Sequence, residues 1–321
     1  MQKSFWDNLP KPFTILAPME DVTDFVFRQI ITEIGKPDVL FTEFVSCDGL
    51  MSKGREKVEE SLKFSKNEQP IVAQIWGLSS ETFLESAKYC KELGFSGIDI
   101  NMGCPDRGIV RRGSCAGLIK NPSLAKEIIA ATKEGAEGLQ VSVKTRIGFD
   151  SSKSDEWLGF LLEQDLAALT VHLRTVGEMS KVPAHWEYLP KILETRNSIS
   201  PNTLIIGNGD IKSIEEVDEK GKEFGADGSM IGRGIFTNPW MFNRKINIAY
   251  ITILKRLELY LHHIDLFLAT WGNSKNPAIL KKFSKTYINN FPDASSLRDK
   301  VVEAENLQGM IEILKEYKAR S

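Results

Sequence analysis

Short apolar runs recur along the chain, each followed by a segment with apolar residues at helical spacing. The runs are FTILA (13–17), VLFTEF (39–44), IVAQI (71–75), GIDIN (97–101), VSVKT (141–145), ALTVH (168–172), TLIIGN (203–208) and DGSMIG (227–232). They predict strands, while SETFLESAKYCKEL and SLAKEIIAATKEG between them predict helices. Ser80-Glu81 and Asn121-Pro122-Ser123 are helix-start signals. Eight strands alternating with helices over about 230 residues predict an α/β chain of the (β/α)8 TIM-barrel class. A doubly wound sheet is the alternative. It calls for a glycine-rich turn after the first strand, where this chain has APMEDVTD.

Beyond residue 243 the pattern changes. ITILKRLELYLHHIDLFLATW, NPAILKKFSKTYINNF and SLRDKVVEAENLQGMIEILKEYK have helical periodicity. Asn273-Ser274 and Asn276-Pro277 separate the first two, and Pro292-Asp293 the next two. The expected organisation is a barrel over residues 1–243 and an all-α helical domain over 244–321.

Composition adds little until it is mapped along the chain. The 321 residues are 42% hydrophobic and 26% charged, an ordinary globular balance. The opening segment has too short an apolar run for a signal peptide, and no 18-residue apolar stretch occurs. Four scattered cysteines, at 47, 90, 104 and 115, form no C-x-x-C motif, so a reducing cytoplasm with no membrane partner is expected. Net charge is −2, yet from Arg244 onward thirteen Lys/Arg face eight Asp/Glu. A basic appendage on an acidic body is either a solvated helical tail or a footprint for a polyanion.

In a barrel of this class the chemistry sits at the C-terminal strand ends. Read in order, those ends carry Pro18-Met19, Glu43, Gln74, Asn101 with Cys104, Lys144 with Arg146, His172 with Arg174, Asn208-Gly209-Asp210 and Gly232-Arg233-Gly234. The last two place glycine directly after a strand, where backbone N–H groups can approach an anion, and Arg233 adds a bidentate donor. Phosphate is the expected ligand there, against two ordinary turns. Lys144 is a Schiff-base lysine, a phosphate ligand or a partner for an electron-rich ring. His172 is an acid/base, a ligand donor or a structural histidine. No third metal-ligand candidate joins His172, so no metal is expected.

APMEDVTD, AQIWG, DINMGCP, VSVKTRIG, TVHLRT, GNGDI and MIGRGIFTNPW together resemble the tRNA-dihydrouridine synthases, in order over residues 13–243. The helical tail resembles theirs more loosely, through LKKFSKTYINNFPDASSLRD. The resemblance implies an FMN-containing barrel that reduces the C5=C6 bond of uridines in tRNA, with NADPH or NADH as electron donor. It implies flavin contacts from Pro18, Met19, Glu20 and Gln74, and flavin or substrate contacts from Lys144 and His172. Asn208, Gly209, Asp210, Gly232 and Arg233 would surround the FMN phosphate. Asn101 would orient the uracil, Arg146 would be the substrate-side arginine, and Cys104 would be the proton donor. Arg111 and Arg112 are substrate-binding candidates from their charge, not from the resemblance. A monomer is expected.

A thiol suits the acid role, because at an ordinary pKa of about 8.5 it is roughly 97% protonated at pH 7. Arg111 and Arg112 would pull that pKa down unless they face elsewhere, toward phosphate. The segment beyond Cys104 reads as a mobile loop closing over a nucleotide, and Cys115 within it as small-residue packing. Two departures from the family pattern bear on the position modified rather than the reaction. Leu173 follows the strand-six histidine where glycine is usual, and Arg111, Arg112 and Cys115 stand where lysine and small residues are usual. The rival readings are a free-pyrimidine reductase of the dihydroorotate dehydrogenase type, a Schiff-base aldolase through Lys144, and a non-catalytic RNA-binding barrel.

Overall fold

The computed structural model describes residues 4–150, 154–272 and 274–320. Met1–Lys3 of the opening segment and Asn273 of the separator lie outside the described residues. Eight strands form one closed barrel: β1 Phe13–Leu16, β2 Val39–Ser46, β3 Ile71–Trp76, β4 Gly97–Met102, β5 Gln140–Arg146, β6 Ala168–His172, β7 Leu204–Asn208 and β8 Gly228–Ile231. All neighbours are parallel, and β8 closes on β1 from Phe13↔Gly228 to Leu16↔Ile231. Closure excludes the doubly wound alternative. Parallel strands buried on both faces explain why each strand reads as a compact apolar run.

The chain divides into two compact units, residues 1–25, 37–211 and 215–232 in the first, and 26–36, 212–214 and 233–321 in the second. In the first, the turn Phe5–Asn8 carries a Ser4/Asp7 capping box and places Trp6 against Phe13, with ring centroids 5.8 Å apart. Trp6 joins Ile15, Phe41, Val72, Ala168, Ile206 and Met230 in one buried cluster. The Ile, Phe, Val and Met side chains each contribute about 1.5–3 kcal/mol on burial before chain entropy is counted. Side chains alternate across a strand. Val72 on that inner face therefore puts Gln74 inside as well, Ala168 does the same for Thr170 and His172, and Ile206 for Asn208. The barrel interior is hydrocarbon at its N-terminal end and polar toward the C-terminal strand ends.

The second unit is helical around an aromatic cluster. Thr252 caps the helix Ile253–Trp271, its side chain accepting from Lys255 N (3.2 Å). Tyr260 stacks on Tyr287 at 4.7 Å, and His263 Nδ1 lies 3.0 Å from Tyr287 OH. The third helical run breaks into Ala294–Glu303 and Leu307–Arg320, because Asn306 starts a new helix by accepting from Gly309 N (2.9 Å). Several of its cations are used internally. Arg256 is buried and donates to Asn289, while Lys281 donates to Val302 O and Ala304 O. Arg244, Lys245, Lys255, Lys282, Lys285 and Lys300 are exposed. Among the described residues no helix is long and apolar enough to cross a membrane.

Candidate active site

The β4 tip is the most highly built part of the barrel mouth. Asn101 is 6% exposed, and its Oδ1 accepts from both Gly103 N and Cys104 N, each at 3.0 Å. This side-chain-closed turn turns the chain back at the strand end and fixes the backbone of Cys104. Pro105 follows, and Asp106 caps the short helix Arg107–Arg111 by accepting from Ile109 N (3.0 Å). The expected mobile loop is thus a helical turn followed by the 3-10 segment Cys115–Lys120. Ser114 Oγ anchors it to Gly77 O (2.7 Å), and Ala116 N donates to Cys104 O (3.3 Å).

Cys104 is part-buried, and burial pushes its thiol above the ordinary range. A hydrogen bond from the Asp106 backbone and the charges of Lys144 and Arg146 oppose that without reversing it. Arg111 ends the short helix and Arg112 is its C-terminal cap, and both are exposed. Cys115 is fully buried at a left-handed φ of 50°, and burial raises its thiol as well.

Beneath the turn, Gln74 and Asn101 join a buried carboxylate, Asp99, that the strand-end reading did not include. Asp99, fully buried on β4, accepts from Ser142 Oγ at 2.6 Å and from Gln74 Nε2 at 2.7 Å. Gln74 Oε1 in turn accepts from Asn101 Nδ2 at 3.0 Å. An unsatisfied buried carboxylate would cost several kcal/mol, but both its oxygens are bonded here. Burial still raises Asp99 to about 6. Gln74, expected against a flavin ring, is itself 0% exposed, with its amide spent between Asp99 and Asn101. Asp99 was legible as the inward neighbour of Asn101, two residues away on one strand.

Lys144 sits beside Asn101 in register, and its Nζ donates to Asn208 Oδ1 (3.2 Å), whose Nδ2 is held by Met230 O (2.7 Å). Burial lowers the ammonium to about 8. Arg146 is 5% exposed. It donates to Gly103 O (2.9 Å), Thr175 O (3.0 Å) and Met179 O (3.0 Å), so it ties the β4 turn to the loop after β6. Arg174 Nη1 lies 3.1 Å from His172 Nε2. A guanidinium only donates, so this places the ring proton of a neutral His172 on Nδ1. Arg174 also pairs with Asp210 and donates to Val182 O (2.6 Å). Asp210 therefore has its own cation.

Gly209 has φ 138°, and a Cβ there would lie 2.6 Å from Ala184 Cβ, so only glycine lets the two loops approach. Pro18 and Met19 are part-buried; Glu20 is exposed. Met19 Sδ is 3.6 Å from where a Gly232 Cβ would stand, which brings the β1 and β8 loops together. Arg233 is exposed and opens the turn Arg233–Phe236 in the second unit.

This donor set fits a flavin mononucleotide. It offers an ammonium, an imidazole and close-approach glycines around one mouth, and Lys144 has no carboxylate within ion-pair distance among the described residues. No group of three or more His, Cys, Asp or Glu side chains is placed to hold a metal ion among the described residues.

A family model described as dihydrouridine synthase matches residues 15–320. The Bacillus subtilis (strain 168) protein called probable tRNA-dihydrouridine synthase 2 is 43% identical over 325 aligned positions, covering 100% of this chain and 98% of the relative. A probable tRNA-dihydrouridine synthase of Staphylococcus aureus (strain MRSA252) is 43% identical over 323 positions, covering 100% and 97%. Among solved structures, a variant of morphinone reductase in complex with tetrahydroNAD aligns with a TM-score of 0.52 at 13% identity, over 72% of this chain and 85% of that one. That likeness is one of barrel fold.

Proposed function

Because this chain belongs to the dihydrouridine synthase family, we propose that it reduces the C5=C6 bond of uridines in tRNA, with FMN as cofactor and NADPH or NADH as electron donor. One observation carries the reading: a thiol held protonated on a side-chain-closed turn, beside an ammonium in the same barrel mouth.

Bound FMN, reduced by the nicotinamide, would supply the hydride that reaches C6 of the uracil. The chain does the rest. Lys144, His172, Pro18, Met19 and Glu20 would contact the flavin. Gly209 and Gly232 would offer backbone donors to the phosphate, and Asn208 holds Lys144 in place. The Arg174 pair keeps the Asp210 carboxylate from repelling that phosphate. Asn101 orients the uracil edge, and Gln74 acts through Asn101.

Cys104 gives its proton to C5. Its raised pKa keeps the thiol loaded at neutral pH, and a positioned acid of this kind contributes on the order of 10²–10⁴-fold. Arg146 shapes the loops around the base. Extracting a stacked base costs a few kcal/mol. The exposed cations of the helical region, proposed as the tRNA-binding domain from about residue 244, together with Arg111 and Arg112, offset that cost at the phosphates.

The test supplies purified protein, FMN and NADPH with either an unmodified tRNA transcript or free uridine and orotate, and reads products by mass spectrometry. Dihydrouridine in the tRNA alone supports the reading; turnover of the free pyrimidines alone overturns it.

A further inference from the structure

We propose that Asp99 is a positioning residue that sets the hydrogen-bond direction of a relay ending at the Cys104 backbone. The relay runs from Asp99 through the Gln74 and Asn101 amides to the N–H groups of Gly103 and Cys104.

Both ends of this relay have a fixed sense. An ionised carboxylate only accepts, and a backbone N–H only donates. Between them stand two amides, each able to accept at one end and donate at the other. With Asp99 accepting, Gln74 must turn its Nε2 toward it and its Oε1 toward Asn101. Asn101 then turns Nδ2 back to Gln74 and leaves Oδ1 for the two N–H groups of the turn. Ser142 takes the second carboxylate oxygen, so Asp99 cannot swing away without losing a bond. All three side chains are 6% exposed or less, so water does not substitute for a broken link. A buried polar network of this kind is costly when half satisfied.

Asparagine at position 99 can donate where aspartate only accepts. Ser142 Oγ, a hydroxyl, can take that donation and leave the sense unchanged, so every Asp99→Asn variant below also carries Ser142→Ala. The new amide then donates to Gln74, which flips, and Asn101 flips after it. Asn101 then presents Nδ2 to two N–H donors, and the turn that carries Cys104 opens. Reversing Gln74 to a carboxylate in the same variant restores the original sense, since Glu accepts from both neighbours.

The geometry stands by itself; the consequence for turnover rests on the proton-donor reading of Cys104. The experiment therefore has two readouts. One is the rate of iodoacetamide alkylation at Cys104, followed by peptide mass in the FMN-loaded protein. Cys47, Cys90 and Cys115 are each 0% exposed, so Cys104 is the thiol reached. Asp99→Asn is expected to raise that rate about tenfold, the scale of two lost hydrogen bonds. Asp99→Asn with Gln74→Glu is expected to return it to within about twofold of the parent, because the donor and acceptor senses match again. The other readout is steady-state turnover, where Asp99→Asn lowers kcat for tRNA and leaves KM.

Parent-like alkylation in Asp99→Asn, or no recovery in the double variant, overturns the relay. Should Asp99→Asn fail to fold, the double variant decides alone: recovered folding with parent-like alkylation supports the relay, and continued failure overturns it. If Cys104→Ala proves fully active, the proton-donor reading falls while the alkylation result still judges the relay.

Discussion

Lys144 Nζ lies 3.2 Å from Asn208 Oδ1, so an ammonium deep in the barrel mouth is answered by a neutral amide. Burial brings its pKa down to about 8, so Lys144 is about 90% charged at pH 7 and loses its charge as pH rises through 8. If that charge holds the flavin, FMN affinity falls between pH 7 and pH 9 by up to about tenfold, since the charged fraction falls by that factor and a ~1.5–3 kcal/mol hydrogen bond to a charged group goes with it. Fluorescence titration of FMN against pH checks this. Lys144→Met binds weakly throughout and shows no such limb.

Arg174 serves His172 and Asp210 together. Its side chain is 3% exposed and that of Asp210 35%, so the pair is half-shielded from solvent. Arg174→Ala removes the guanidinium paired with Asp210 beside the Gly209 turn. We expect a loss of roughly 2 kcal/mol in stability, below the range for a fully buried pair, together with weaker FMN binding. Arg174→Ala with Asp210→Asn recovers much of the stability in urea melts. Equal losses in the single and double variants contradict the assignment.

Arg111 ends the short helix and Arg112 caps it, both exposed. Replacing both by alanine leaves the melting temperature within about 1 °C, since exposed substitutions cost little. The same variant lowers the slope of log affinity for tRNA against log salt by about 1 to 2, one phosphate contact each. Filter binding at several salt concentrations measures the slope, and an unchanged slope removes these residues from the tRNA contact.

Much of this molecule is written plainly in the chain. FTILA, IVAQI and GIDIN read as strands because parallel strands buried on both faces need unbroken apolar runs. Strand ends carrying Asn101, Lys144 and His172 read as a mouth because the barrel directs its strands one way. Asp99 escaped because it sits inside a run that also reads as plain strand; its two-residue spacing from Asn101 was the available signal. Arg146 shows a different limit. Its partners, the carbonyls of Thr175 and Met179, lie 29 and 33 residues away, and no local pattern announces them. The helical turn after Cys104 was announced only by Asp106, three residues before Ile109, and its glycines suggested looseness instead.

The central claim is that Cys104 delivers the proton to C5. Cys104→Ala, loaded with FMN and reduced by NADPH, is mixed with unmodified tRNA, and dihydrouridine is measured by mass spectrometry. The account predicts parent-like FMN content with uridine reduction slowed by about 10²-fold or more. Parent-like dihydrouridine formation by that variant would contradict it.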